Sequence, residues 1–153
     1  MDKKKLNIII SISAIVVVAV LGTVFVNLGM DWFNSLNKPS QWIPNFVIPI
    51  VWSVIYISAG IVLILWNTNP KPPLKTNILF ILNGIFNVLW CLVFFTLKQT
   101  FLGNIIIIIN TILAFILVVN IFKENKLYGY MLSIYPIWLC LATSLNTAIW
   151  ILN

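Results

Sequence analysis

The chain has no histidine, and only three acidic residues stand among its 153 against nine basic ones, all of them lysine. Without histidine there is no Ser–His–Asp triad, no Cys–His pair and no His-ligated haem. Two cysteines, Cys91 and Cys140, cannot supply a four-ligand zinc site. Both are expected inside helices as small apolar residues rather than as a disulfide. Charged residues make up 8% of the chain, whereas a soluble domain carries about 25%. Hydrophobic residues make up 61%, and the mean hydropathy is +1.07. These figures describe an integral membrane protein.

Apolar stretches of spanning length lie at 6–28, 46–66, 76–97, 101–122 and 127–152. Each meets the requirement of about 20 residues. Each must be helical, because lipid offers no partner to an exposed backbone N–H or C=O. The expectation is an all-α integral membrane protein, a five-transmembrane-helix bundle filling residues 1–153 as one domain. The first stretch follows Lys3, Lys4 and Lys5 and has the look of a signal peptide. It is longer than a signal core of about 7–15 residues and no A-x-A-like site follows, so it reads as the first helix.

A net charge of +6 does not call for nucleic acid here, because lysines beside membrane helices set topology. Lys3, Lys4, Lys5, Lys71, Lys75, Lys123 and Lys126 fall on one face, and Lys38 and Lys98 on the other. The N-terminus is therefore expected in the cytoplasm of a cell-membrane protein, with the first loop and the C-terminus outside. No Asp, Glu, Lys, Arg or His lies within the spans, which argues against ion-coupled transport and small multidrug exporters. No internal repeat is visible, and an odd helix count disfavours the inverted-repeat transporter plan.

The longest connection, Gly29 to Asn45, carries Asp31, Trp32, Lys38, Pro39, Trp42 and Pro44. Two readings of it stand. It is a lid over one end of the bundle, since long loops in compact proteins are often functional. Alternatively, it is an interfacial anchor with Trp32 and Trp42 among the headgroups. Pro70, Pro72 and Pro73 punctuate the second connection as a turn.

Three helices carry polar and aromatic stripes at spacings of three and four, which place each set on one helix face. The first set is Pro49, Trp52, Tyr56 and Gly60. The second is Asn83, Asn87, Trp90 and Phe94. The third is Tyr135, Trp138, Ala142 and Leu145, with Asn146 alongside. At about 1.5 Å per residue, Trp52, Trp90 and Asn87 lie roughly 9, 10 and 15 Å below the loop-bearing surface, and Trp138 roughly 20 Å. Two readings are again open. Amides join membrane helices in many proteins, so Asn83 and Asn87 can act as helix glue. Tryptophan, however, normally sits at the membrane surface, and small residues rather than Trp mark tight helix contacts. Tryptophans at depth favour an internal pocket under the long loop for a large, flat, mostly apolar molecule.

The residues of these stripes and of the loop resemble the TspO/MBR family: the tryptophan-rich sensory protein, translocator protein or peripheral benzodiazepine receptor. Trp32-Phe33-x-x-Leu36-x-Lys38-Pro39, followed by Trp42 and Pro44, is similar to its W-Y-x-x-L-x-K-P-x-W-x-P-P signature. Trp52 with Tyr56 resembles V-W-x-x-L-Y. Asn87-x-x-Trp90-x-x-x-Phe94-Phe95 resembles N-x-x-W-x-x-x-F-F. Tyr135-x-x-Trp138-x-x-x-Ala142-Thr143-x-Leu145-Asn146 resembles Y-x-x-W-x-x-x-A-T-x-L-N. Phe33 stands where the signature has Tyr, Gln41 takes the usual Trp place, Pro44 is the one proline of the usual pair, and Pro136 is displaced. The tail proposed for cholesterol binding in animal relatives has no counterpart after Asn153, so steroid binding is not among the expectations.

The resemblance implies a membrane receptor or sensor for porphyrins and other flat, hydrophobic, drug-like ligands. Trp52, Trp90 and Trp138 would stack on the ligand, and Asn83, Asn87 and Asn146 would offer hydrogen bonds. Tyr56, Phe94 and Ala142 would complete the wall. Trp32, Phe33, Lys38 and Trp42 would form the lid, with Lys38 meeting a propionate. The porphyrin enters as ligand or substrate, with no resident cofactor and no metal. Trp52 and Trp138 match the tryptophans assigned to light- and oxygen-dependent porphyrin breakdown, which makes them candidate catalytic residues. Passive tetrapyrrole transport and a purely structural bundle are the remaining alternatives. A homodimer through the third helix is a further expectation, beside the lipid bilayer as the obligatory environment.

Overall fold

The computed structural model describes residues 2–40, 43–68 and 73–153. Of the residues singled out above, Gln41, Trp42, Pro70, Lys71 and Pro72 lie outside these. The described residues form helices α1 (Lys3–Leu28), α2 (Met30–Ser35), α3 (Val47–Asn67), α4 (Leu74–Cys91), α5 (Thr100–Glu124), α6 (Lys126–Leu132) and α7 (Ile134–Leu152), with a π-helical turn over Leu92–Thr96. Among the described residues, five stretches are long and apolar enough to cross a membrane: α1, α3, α4 with its π-turn, α5, and α6 with α7. Their outward faces are lined by Ile9, Val16, Val20, Ile57, Ile78, Ile112 and similar residues, all exposed. Such a surface is stable only against lipid tails.

The spans form a ring. α1 packs on α3 and α4, α4 on α5, α5 on α7, and α3 closes the circuit against α6 and α7. α3 and α4 therefore face one another across the interior, and their stripes point inward. Of the five spans, α1 is the least buried.

Three local departures from regular helix shape the interior. The first is in the fifth span, expected as one helix over 127–152, which is broken between Leu132 and Ile134. Pro136 explains this, because it lacks the N–H that would bond the Leu132 carbonyl and its ring crowds that carbonyl. The second is at the end of α4, where the π-turn is closed by the Leu97 N–H donating to the Leu92 carbonyl at 2.9 Å. The wider turn brings Phe94 and Phe95 together in the core, with ring centroids 4.9 Å apart. Thr96 ties this turn to α1 by donating to the Phe25 carbonyl at 2.9 Å, and Lys98, in the left-handed region at φ 58°, ends it. The third lies inside the long connection, which is not all loop: α2 folds back on the π-turn. Gly29 permits that approach, because a Cβ there would overlap the Phe95 backbone carbonyl.

Candidate functional site

Four aromatic rings stack in series through the middle of the bundle. Tyr56 stacks on Trp52 at 5.6 Å and 28°, Trp52 on Trp90 at 6.2 Å and 30°, and Trp90 on Phe94 at 6.3 Å and 26°. α3 supplies the first two rings and α4 and its π-turn the others. The three-and-four spacing on each helix makes the ladder possible. Offset stacks of this kind contribute about 0.5–1.5 kcal/mol per pair beyond their buried area. Trp90 is further fixed by its indole N–H, which donates to Asn146 Oδ1 on α7 at 3.2 Å.

Two cavities flank this ladder. The loop-side cavity has a volume of about 100 Å³, and its walls include Phe33, Trp52, Trp90, Phe94, Trp138, Ala142 and Asn146. Two of its buried donors have no partner, Trp138 Nε1 and Asn146 Nδ2. The Asn146 amide cannot be flipped to relieve this, because its oxygen accepts from Trp90. Orphaned donors on a cavity wall present that wall to a hydrogen-bond acceptor.

Phe33 roofs the cavity. It is buried against Phe94 and Phe95, with centroids at 6.3 and 5.2 Å. Lys38 Nζ sits over the Phe33 ring, 4.7 Å from its centroid. Trp32 stands edge-on to Phe94 at 5.8 Å but does not line the cavity. The roof is latched to the far end of the chain. The Asn37 N–H donates to Asn153 Oδ1 at 3.0 Å, and Asn153 Nδ2 donates to the Asn37 carbonyl at 3.1 Å. Residues 116 apart form this latch, and no sequence pattern pointed to it.

The second cavity lies on the N-terminal side of the ladder and has a volume of about 490 Å³. Tyr56, Asn83 and Asn87 line this space rather than the loop-side one. The single pocket expected under the loop is thus replaced by two. The partition is Trp52 with Tyr56 stacked beneath it, and Tyr135 set edge-on to Trp52 at 6.4 Å. The Tyr56 hydroxyl donates to Asn87 Oδ1 at 3.2 Å, and Asn110 Nδ2 donates to the Tyr135 hydroxyl at 3.0 Å. The hydroxyls are thereby satisfied where water is excluded. Asn110 of α5 is buried at this partition and was not singled out, since it lies among isoleucines on a stretch without a stripe.

The comparisons with known proteins agree with the motifs. The model of the TspO/MBR family matches residues 11–151. The chain is 29% identical to the tryptophan-rich protein TspO of Archaeoglobus fulgidus over 97% of each chain. It is 32% identical to the protein CrtK of Rhodobacter capsulatus, over 80% of this chain and 78% of that one. It is 29% identical to the tryptophan-rich protein TspO of Bacillus cereus, over 80% of each. This multi-pass helical membrane protein belongs to the TspO/MBR family.

Proposed function

We propose that the protein is a membrane receptor or sensor that binds a tetrapyrrole, or another flat hydrophobic molecule, in the loop-side cavity. Family membership and the likeness to CrtK support a membrane sensor or regulator role. The finer reading rests on one observation: Trp138 Nε1 and Asn146 Nδ2 are buried, unpaired and set in a wall of stacked indoles. Flat faces and two acceptor-seeking donors suit an aromatic ring system bearing carbonyl or carboxylate oxygens. A space of about 100 Å³ is below the range of about 300–1,000 Å³ usual for ligand pockets. Binding therefore requires Phe33 and α2 to lift and the Asn37–Asn153 latch to open. Lys38, released from the Phe33 ring, would then meet an acidic group of the ligand. The excess of lysines at the N-terminal side supports an orientation with that side in the cytoplasm and the roof outside.

Titration of the purified protein with protoporphyrin IX, followed by tryptophan fluorescence, tests this. Saturable quenching is expected, weakened in Trp138→Phe with helix content unchanged. Unsaturable quenching that persists in Trp138→Phe would overturn the pocket. A second reading, light- and oxygen-dependent breakdown of the bound porphyrin, is favoured by Trp52 and Trp138 standing in the wall of one cavity. Equal bleaching of porphyrin absorbance by the native protein and by Trp52→Phe/Trp138→Phe would reject it.

A further inference from the structure

The N-terminal-side cavity is the larger space, and the proposed receptor function does not use it. Its hydrogen-bonding character is the reverse of its neighbour's. Asn83 donates from Nδ2 to the Leu79 carbonyl at 2.8 Å, which fixes the amide and leaves Oδ1 buried and unpaired. Asn77 Oδ1 is buried and unpaired as well. Asn87, one turn further along α4, turns Oδ1 to Tyr56 and leaves Nδ2 unpaired. Asn83 and Asn87 are 4% and 2% exposed. Three amides of one helix that line a single cavity thus leave two acceptors and one donor unpaired.

Among the described residues, no charged side chain lines this space. An ionised ligand would be stranded there, at a cost of several kcal/mol. The remaining walls are mixed: aliphatic at Ile15 and Val18 of α1, aromatic at Phe80 and Tyr135, and polar at Asn7, Ser11 and Asn67, which hydrogen-bond among themselves. Ile10 and Ala14 of α1 and Ile81 and Ile85 of α4 line the cavity and are also exposed on the outer surface. The cavity therefore opens sideways between α1 and α4, on the surface that faces lipid tails.

We infer that this cavity is a lipid-accessible binding site for a neutral single-chain lipid whose head carries hydroxyl donors and a carbonyl acceptor, as in a monoacylglycerol. The head lies against Asn83 and Asn87, about 6 Å apart along the helix axis. One hydroxyl donates to Asn83 Oδ1 and the ester carbonyl accepts from Asn87 Nδ2. The acyl chain leaves through the gap between Ile10 and Ile81. A free fatty acid or a phospholipid is a poorer fit, because each brings a charge for which the described lining residues hold no partner.

The test uses the full chain in nanodiscs, a diazirine-bearing monoacylglycerol as photolabel, and 1-monodecanoylglycerol as competitor. Saturable labelling at Ile10, Ile81 or Ile85 is expected. The dimethyl ether of the competitor, which keeps the carbonyl but has no hydroxyl, is expected to compete about ten-fold less well, as for loss of one buried hydrogen bond. Asn83→Leu is expected to lower apparent affinity by a similar factor. Ala14→Trp, at the exposed mouth, is expected to abolish the labelling and serves if Asn83→Leu does not fold. Labelling that does not saturate, equal competition by the ether, or undiminished labelling in Ala14→Trp would overturn the site, as would a cavity holding water alone. Porphyrin quenching plays no part in this readout, so the loop-side reading stands or falls separately.

Discussion

The loop-side cavity measures about 100 Å³ and is walled by stacked indoles, whereas the N-terminal-side cavity measures about 490 Å³ and is walled by aliphatic side chains, amides and the rings of Tyr56, Phe80 and Tyr135. Both open inside the same ring of spans, on either side of the Trp52–Tyr56 stack. The difference follows from what faces the interior. On the loop side, the π-turn places Phe94 and Phe95 where α2 can press Phe33 against them, and the interlocked rings leave little room. On the other side, α1 contributes Ala14, Ile15 and Val18; Val18 and Ile15 pack over Gly84 and Gly60, and among the described residues no interlocked aromatic rings fill the space beside them. One region is closed by rigid aromatic packing and orphans only donors. The other stays open and orphans mainly acceptors. In lipid, neither kind of orphan finds water freely, so each marks what a ligand must bring.

The comparison breaks most readily at Trp90, whose ring joins Trp52 to Phe94 and whose N–H holds Asn146. Trp90→Ala removes two stacks and an interhelical hydrogen bond, and leaves a large void. A loss of about 3–5 kcal/mol is expected, as for other buried tryptophans. Thermal unfolding in detergent checks it. If the two cavities are independent, monoacylglycerol labelling at Ile81 should survive below the new transition while porphyrin quenching is lost.

The latch is a smaller lever. Asn37→Ala leaves both latch hydrogen bonds in place, because the Asn37 contacts run through its backbone. Asn153→Ala is therefore the informative change. It deletes both hydrogen bonds of the latch at an exposed site, where each contributes about 0.5–1.5 kcal/mol at most. Stability should fall by about 1 kcal/mol or less, on the lower side of that range because the site is exposed. Porphyrin association, followed by stopped-flow quenching, should become faster because the roof lifts more often. An unchanged association rate would show that Phe33, and not the latch, controls entry.

Much of this arrangement was legible beforehand, and the limits have identifiable causes. Hydropathy alone located the spans, since an uncharged apolar stretch of that length has no other stable environment. Spacings of three and four put Trp52 and Tyr56 on one face and Asn87 and Trp90 on another. Periodicity gives a face, however, and not which residue across the bundle it meets. For that reason Asn87 and Trp90, less than one turn apart, were assigned to one pocket, although the Tyr56 hydroxyl draws Asn87 to the other side of the partition. The Pro136 break required weighing a missing N–H against the apolar run that continues through it. The π-turn and the Asn37–Asn153 latch leave no local signal, because both are consequences of tertiary contact.

The finest distinction concerns two half-satisfied asparagines, one in each cavity. Asn146 and Asn83 each leave one amide atom unpaired. The satisfied half differs. Asn146 Oδ1 accepts an indole N–H from another span, whereas Asn83 Nδ2 donates to the Leu79 carbonyl four residues earlier on its own helix. Replacing either by Leu, which has the same branching, removes the orphaned atom. In Asn146→Leu the Trp90 N–H becomes a new buried orphan, so a net loss of about 1–3 kcal/mol is expected. In Asn83→Leu no donor is stranded, because the Leu79 carbonyl keeps its place in the helix ladder. The change should then be within about 1 kcal/mol of zero, with stabilisation the favoured sign since an unpaired buried acceptor has gone. Paired thermal unfolding of the two variants measures this directly. Equal destabilisation would mean that the Asn83 amide oxygen has a partner within the folded protein, and the site proposed for the N-terminal-side cavity would lose its principal acceptor.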